Sequence, residues 1–266
     1  LPSVFIGGKF LNIFCIGDVV GEAGCGFLLG HLPAFKKLKG IDVCIANGEN
    51  SAKGNGITQD SAKLLFSCGV DIITTGNHAF KRPESYETFD NTECLLRPAN
   101  YGPGAPGKGY YIYEKGSMQL AVVNLMGTVF MENLENPFVC AEKVLKEISG
   151  VKNIIFDFHA EATAEKRAMG FFLDGKASAV FGTHTHVRTA DAEILPEGTA
   201  YISDIGMTGV IDSVLGITPE IAIKKMKTMM PVRFDSASGK CKMEGCIFEI
   251  CQKTGKAVSA EGVTVC

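Results

Sequence analysis

The sequence predicts an α/β fold built on open parallel sheets, and three observations carry that expectation. Short apolar runs of strand length alternate with helical patterns, glycine-containing turns follow the apolar runs, and residues able to do chemistry recur in those turns. Open parallel sheets place their ligands just outside the carboxyl ends of the strands. Functional side chains are therefore sought at those ends first.

Phe10 to Ile16 is a nearly continuous apolar run, followed by Gly17-Asp18-Val19-Val20-Gly21 and a helical pattern through Phe27, Leu28, Leu32 and Phe35. Val43 to Asn47 repeats the strand, Gly48-Glu49-Asn50 the turn, and Thr58 caps a helix through Ala62, Leu65 and Phe66. Asp71 to Thr75 with Gly76-Asn77-His78 is a third unit. Residues 97–109, rich in proline and glycine, read as one irregular loop in which Asn100 and Lys108 are candidates to touch a substrate phosphate.

Strands at Gly109–Tyr113 and Leu120–Asn124, joined through Lys115-Gly116-Ser117, then form a hairpin that starts a second sheet. Asn136 to Ser149 is an amphipathic helix. Asn153 to His159 is a strand ending in a candidate ligand, Thr163 to Leu173 the next helix, and Ala179 to Thr183 a strand delivering His184-Thr-His186. Thr199 to Asp204 leads into a turn, Ile205 to Gly209, where Asp204 is a candidate to support a ligating histidine. A helix from Pro219 to Met229 and two closing strands, Lys242–Cys251 and Ala257–Val265, complete the chain.

At 266 residues the chain can bury a substantial core as a single domain over 9–266. Residues 1–8 lack the basic start and cleavage site of a secretory signal and read as a leader or extended start outside the core. A net charge of −3 gives no footprint for stable nucleic-acid binding or an anionic membrane. Apolar runs are strand-sized, short of the roughly 18 residues of a membrane span. Of the ten cysteines, Cys15, Cys44, Cys68 and Cys140 fall in apolar elements. Cys241, Cys246 and Cys251 are spaced unlike a paired zinc site. Reduced thiols and an intracellular protein are expected.

Four of the five histidines, His78, His159, His184 and His186, stand just past predicted strands, and only His31 lies within a helix. Singly, each candidate has a bland reading: Asp18 as a helix cap, Asn77 as a turn stabiliser, a histidine as a satisfied loop residue. One context repeated by so scarce a residue points instead to a shared site. Asp18, Glu49, Asn50, Asn77, His159, His184 and His186 offer carboxylate, amide and imidazole donors without thiolate, a set suited to iron, manganese, cobalt or zinc. Seven donors exceed the needs of one ion, so a carboxylate such as Glu49 is expected to bridge two. A bridging hydroxide can then attack a phosphorus centre, with His78 as the general acid for the leaving oxygen.

The order Gly17-Asp18, Gly48-Glu49-Asn50, Gly76-Asn77-His78, His159 and His184-Thr-His186 resembles the calcineurin-like metallophosphoesterases. Val20 stands where that pattern has histidine, and Glu49 replaces its bridging aspartate, with Asn50 placed to supply the missing contact. These departures, with Arg97-Pro-Ala-Asn100 and Phe156-Asp-Phe-His-Ala-Glu-Ala-Thr163, resemble the bacterial YmdB-like branch over nearly the whole chain. The resemblance implies a four-layer αββα sandwich and two metal ions, iron or manganese ahead of zinc or cobalt. It implies phosphodiesterase activity on cyclic nucleotides such as 2′,3′-cyclic AMP, cytoplasmic residence, and room for a homo-oligomer. The alternatives are a phosphomonoesterase or protein phosphatase, and a metal-stabilised regulatory protein acting through a partner. A metallopeptidase is disfavoured by the lack of an HExxH helix.

Overall fold

The computed structural model describes residues 9–233 and 235–266, so the expected leader over 1–8 lies outside the described residues. Two runs of alternating strand and helix build the centre. The first comprises β1 (Phe10–Ile16), the two-residue β2 (Asp18–Val19), α1 (Gly21–Lys39), β3 (Val43–Asn47), α2 (Gln59–Ser67) and β4 (Ile72–Thr74). β1, β3 and β4 pair in parallel. Their unbroken apolar character reflects burial on both faces, which removes the polar alternation of a half-exposed strand. α1 turns Cys25, Leu28, Leu32 and Phe35 inward at helical spacing. α2 starts at the expected Thr58, whose hydroxyl accepts from the Ser61 amide while the Ser61 side chain answers the Thr58 N–H.

A 3₁₀ turn at Pro83–Ser85 and α3 (Tyr86–Asn91) follow. Neither is foreseen from sequence, because six residues are too few to display an apolar period. The second run opens with the expected hairpin, β5 (Tyr110–Lys115) and β6 (Met118–Met126), antiparallel around Gly116. It continues through α4 (Pro137–Glu147), β7 (Asn153–His159), α5 (Thr163–Leu173), β8 (Ala179–Thr183), β9 (Glu193–Ile194) and β10 (Ala200–Ile202). The chain closes with β11 (Met207–Val210), α6 (Pro219–Thr228), β12 (Cys241–Cys251) and β13 (Ala257–Val265). The segment read as a turn from Ile205 to Gly209 is corrected: its second half is β11, parallel to β2 and antiparallel to β12. Partners far away in sequence, not local pattern, make it a strand.

The first sheet runs β2-β11-β12-β1-β3-β4 with β13 alongside β12, and the second runs β5-β6-β7-β8-β10-β9. Three apolar clusters fill the molecule. Leu28, Leu32 and Leu65 of α1 and α2 pack with Phe14 and Ile73 of the first sheet. Ile13, Ile45 and Phe248 of that sheet meet Val122, Ile155 and Phe181 of the second. Val144 and Met169 of α4 and α5 pack with Val123 and Phe156 on the second sheet's other side. The carboxyl ends of both sheets are tied by a buried polar net. Thr74 Oγ1 donates to Asp157 Oδ2 at 2.5 Å, Thr183 Oγ1 to Asp157 Oδ1 at 2.7 Å, and the Thr75 amide to Asn124 Oδ1 at 2.9 Å. The strand-tip residues of two sheets therefore face one place.

Candidate metal centre

Each expected ligand sits directly on or after a strand. Asp18 lies in β2, Glu49 and Asn50 follow β3, Asn77 follows β4, His159 ends β7, and His184 and His186 follow β8. Asp18, Glu49 and His159 are almost wholly buried. Close approach of the two sheets depends on Gly76: a Cβ there would lie 2.1 Å from His159 Cδ2.

His159 Nε2 is the hub of one donor group. It lies 3.0 Å from Asn77 Oδ1, 3.1 Å from His184 Nδ1 and 3.4 Å from Glu49 Oε1. A second group adjoins it through the same glutamate. His186 Nε2 is 3.5 Å from Asp18 Oδ1 and 3.3 Å from Asn50 Nδ2, which is 3.2 Å from Glu49 Oε1. Donors about 2.0–2.2 Å from a common cation stand about 3.0–3.5 Å from each other, the spacing found here. Asp18 Oδ1, moreover, is buried without a hydrogen-bond partner. An orphaned carboxylate oxygen away from water is costly unless a cation meets it. The donor atoms of Glu49, His159 and His184 all fall within 4.8 Å of one another. The residues present fit a metal.

Electrostatics point the same way. Burial opposes ionisation of Glu49, yet His159 and His78 hold its carboxyl well below the usual range. Burial likewise opposes ionisation of Asp18, and His186 pulls it down. His159 is driven up to about 9: Glu49 and Asp18 outweigh the desolvation that would keep it neutral. His184 is driven down to about 4 by desolvation and by the charge on His159. Beneath them, burial lifts Asp157 to about 7 against the pull of His159 and two hydroxyls. Two buried carboxylates thus make this place favourable for positive charge, which a cation would supply in place of the His159 proton.

The loop after β8 that carries His184 and His186 is held against its own preference. His184 and His186 have φ of 99° and 62°, a region costly for residues with a side chain, about 1–3 kcal/mol each. Between them, Thr185 donates its amide and hydroxyl to Asp204 Oδ2 at 3.1 and 2.8 Å. Lys166 Nζ donates to the same oxygen at 2.7 Å and to the Thr183 carbonyl at 2.9 Å. Asp204 therefore supports the histidines through the intervening threonine rather than by touching either ring.

Other expectations change in detail. The Asn50 amide turns its Nδ2 to the cluster and its Oδ1 to His78 Nδ1 at 2.8 Å, so ligation through oxygen requires the amide to flip. Asn100, expected to touch substrate, is fully buried. Its amide donates to the carbonyls of Met126 and Glu135 and accepts from the Met126 N–H, which makes it a clamp on the loop after β6. Lys108 is exposed and paired with Glu93. His31 is exposed on α1 and stacked on Phe27, apart from the cluster as expected. Sequence reasoning gave Glu161 no role, yet its Oε2 lies 3.0 Å from His184 Nε2. An acidic residue two positions beyond a ligand was the available signal.

His78 is half-buried at the edge of this group. Its amide donates to Glu49 Oε2 at 2.9 Å, and Nδ1 is also 3.2 Å from Glu49 Oε1. Asn77 and His184 line an open cavity of about 310 Å³ together with Phe130, Met131 and Glu132. A larger cavity, about 1070 Å³ between the start of α1 and the loops around Lys53 and Ser236, includes none of the expected ligands. Of these two, only the smaller one adjoins the candidate ligands.

The class so defined is a two-sheet α/β protein with a His/Glu cluster able to hold metal at the carboxyl ends of its parallel strands. The family described as YmdB-like protein matches residues 14–263, and the chain belongs to it. It is 44% identical over 256 residues to the 2′,3′-cyclic-nucleotide 2′-phosphodiesterase of Bacillus subtilis (strain 168), covering 96% of this chain and 97% of that one. A crystal structure of a hypothetical protein from Thermus thermophilus superposes with TM-score 0.90 at 40% identity, covering 96% of this chain and 99% of that one. A phosphatase from Mycoplasma pneumoniae gives TM-score 0.91 at 31% identity, with coverages of 97% and 94%. Among the described residues no helix is long and apolar enough to cross a membrane.

Proposed function

We propose that this protein is a metal-dependent phosphodiesterase that opens 2′,3′-cyclic nucleotides. The carrying observation is the position of Glu49 Oε1, 3.4 Å from the hub of one donor group and 3.2 Å from Asn50 Nδ2, the amide whose oxygen a flip brings to the other. That position suits a bridge between two cations. One would be held by Asn77, His159, His184 and Glu49, the other by Asp18, Asn50, His186 and Glu49. Oxygen and nitrogen donors without thiolate suit iron, manganese, cobalt or zinc, and the family resemblance puts iron or manganese first. When bound, such ions supply Lewis acidity toward a phosphoryl oxygen and acidify water.

The chain's own residues do the rest. Thr183 Oγ1 at 2.9 Å from His159 Nδ1 and Glu161 Oε2 at 3.0 Å from His184 Nε2 keep those rings fixed. Glu49 Oε1 engages His78 Nδ1, which leaves His78 Nε2 free to hold a proton. As water adds to phosphorus and releases one proton to solvent, the bond from phosphorus to the ribose O2′ breaks and O2′ takes the His78 proton, giving a 3′-phosphate; His78 then regains a proton from solvent. This regiochemistry follows the name of the Bacillus subtilis relative. The same reading takes 9–266 as one metallophosphoesterase domain, its three apolar clusters supporting an αββα order of layers. A cytoplasmic protein, free to form a homo-oligomer, completes it.

The test is metal analysis of protein purified without added metal or chelator, followed by assays on 2′,3′-cyclic AMP, 3′,5′-cyclic AMP and an aryl phosphomonoester. Two metals per chain and preferential conversion of 2′,3′-cyclic AMP to the 3′-monophosphate are expected. A metal-loaded protein that works best on the monoester would overturn the assignment in favour of a phosphatase.

A further inference from the structure

The loop after β6 is pinned at both ends and bare at its tip. The Gly127 amide donates to the His159 carbonyl at 2.9 Å. Thr128 donates its amide and hydroxyl to Glu165 Oε1 at 2.9 and 3.3 Å, and the Val129 amide reaches Glu165 Oε2 at 3.4 Å. The Asn100 amide clamps Met126 on one side and Glu135 on the other. Within this frame Phe130 has a φ of 62° and is 89% exposed. Both features are unfavourable. A left-handed backbone strains a residue with a bulky side chain, and a phenyl ring left in water forgoes its burial.

Phe130 also has no aromatic or cationic ring partner among the described residues. Strain with exposure at one residue, on a loop this firmly held, calls for an occupant from outside the chain. The direction is set by its neighbours: Phe130 lines the cavity of about 310 Å³ that Asn77 and His184 also line. Resting on the phosphodiesterase reading above, we propose that Phe130 is the platform on which the substrate's nucleobase stacks while its cyclic phosphate reaches the cluster. Every base offers a π-face, so such a platform asks for a base without choosing among bases. A flat aromatic fixes the nucleoside end and leaves the phosphate to the cluster.

The experiment compares kcat/KM on 2′,3′-cyclic AMP, 2′,3′-cyclic UMP and the methyl riboside 2′,3′-cyclic phosphate, which has no base. The wild type should prefer both nucleotides to the base-free ester by roughly tenfold, within the range that base–aromatic stacking contributes. Phe130→Ala should erase this preference by raising KM on the nucleotides, with metal content kept. Phe130→Trp should restore it. A variant slowed equally on all three esters, its preference intact, would show a structural role and overturn the platform. Equal kcat/KM of the wild type on all three overturns the platform but leaves the phosphodiesterase assignment standing. A metal-loaded wild type inert on all three overturns both.

Discussion

Lys166 Nζ meets Asp204 Oδ2 at 2.7 Å in the interior, and that one oxygen also receives both donors of Thr185. A buried charge pair steadies the strained loop that carries His184 and His186. Lys166→Met leaves the Asp204 carboxylate buried and unpaired, which should cost about 3–5 kcal/mol of folding stability in urea titrations of metal-free protein. The pair Lys166→Met/Asp204→Leu should regain only part of that stability, since Thr185 and the Gly206 amide lose their acceptor, and should bind less metal for the same reason. A double variant that keeps its full metal content would show that the loop holds its shape without this anchor.

Glu161 acts on the opposite side of the His184 ring. Its Oε2 lies 3.0 Å from Nε2 while Nδ1 faces His159. A proton held on Nε2 by a carboxylate leaves the Nδ1 lone pair directed at the cluster. Glu161→Gln should weaken metal retention about tenfold in competition with a chelator, the lower end for such supporting residues. Glu161 is half exposed, which limits the effect. Unchanged retention would assign the ring's orientation to the His184 amide, which donates to Asp18 Oδ2.

The strands buried on both faces were legible as apolar runs, and with them the positions of Asp18, Glu49, Asn77, His159, His184 and His186. A strand tip is a sequence feature. Side-chain direction is not: Asn100 and Asn77 each stand in a polar turn after a strand or in a loop, but one amide is consumed by backbone groups and the other points its oxygen at His159. β11 and β2 escaped because their pairing joins residues nearly two hundred positions apart. Phe130 escaped because a lone aromatic in a loop looks like any core residue until its exposure is known.

The cysteines give a test of burial that needs no ligand. Burial raises Cys25 and Cys246 to about 12 and Cys140 to about 11, and lifts Cys15 and Cys44 well above the usual thiol range as well. A pKa far above the solution pH keeps the thiol protonated, and the protonated thiol is not the nucleophile. At pH 8 a disulfide reagent should therefore meet exposed Cys266 first and the partly exposed Cys94 and Cys241 next. The other seven of the ten free thiols should appear only in denaturant. Cys251 belongs with them despite the hydrogen bond from Thr254 that lowers its thiol, since it is 3% exposed. Rapid titration of all ten in native buffer would mean that the interior opens readily.

His78 and His159 should separate proton transfer from metal binding. His159 Nε2 is the hub to which three other donor atoms come within 3.4 Å, whereas His78 engages the cluster from its edge through Nδ1. Removing the hub in His159→Ala should empty at least one ion per chain and abolish turnover. His78→Ala should keep the metal and lose rate by about 10²–10⁴, the span typical of a general acid. The loss should shrink on an ester whose leaving group is already a good one, such as an aryl phosphodiester, because that oxygen departs without needing a proton. Equal losses on alkyl and aryl esters, with metal retained, would move His78 from proton donor to holding the substrate.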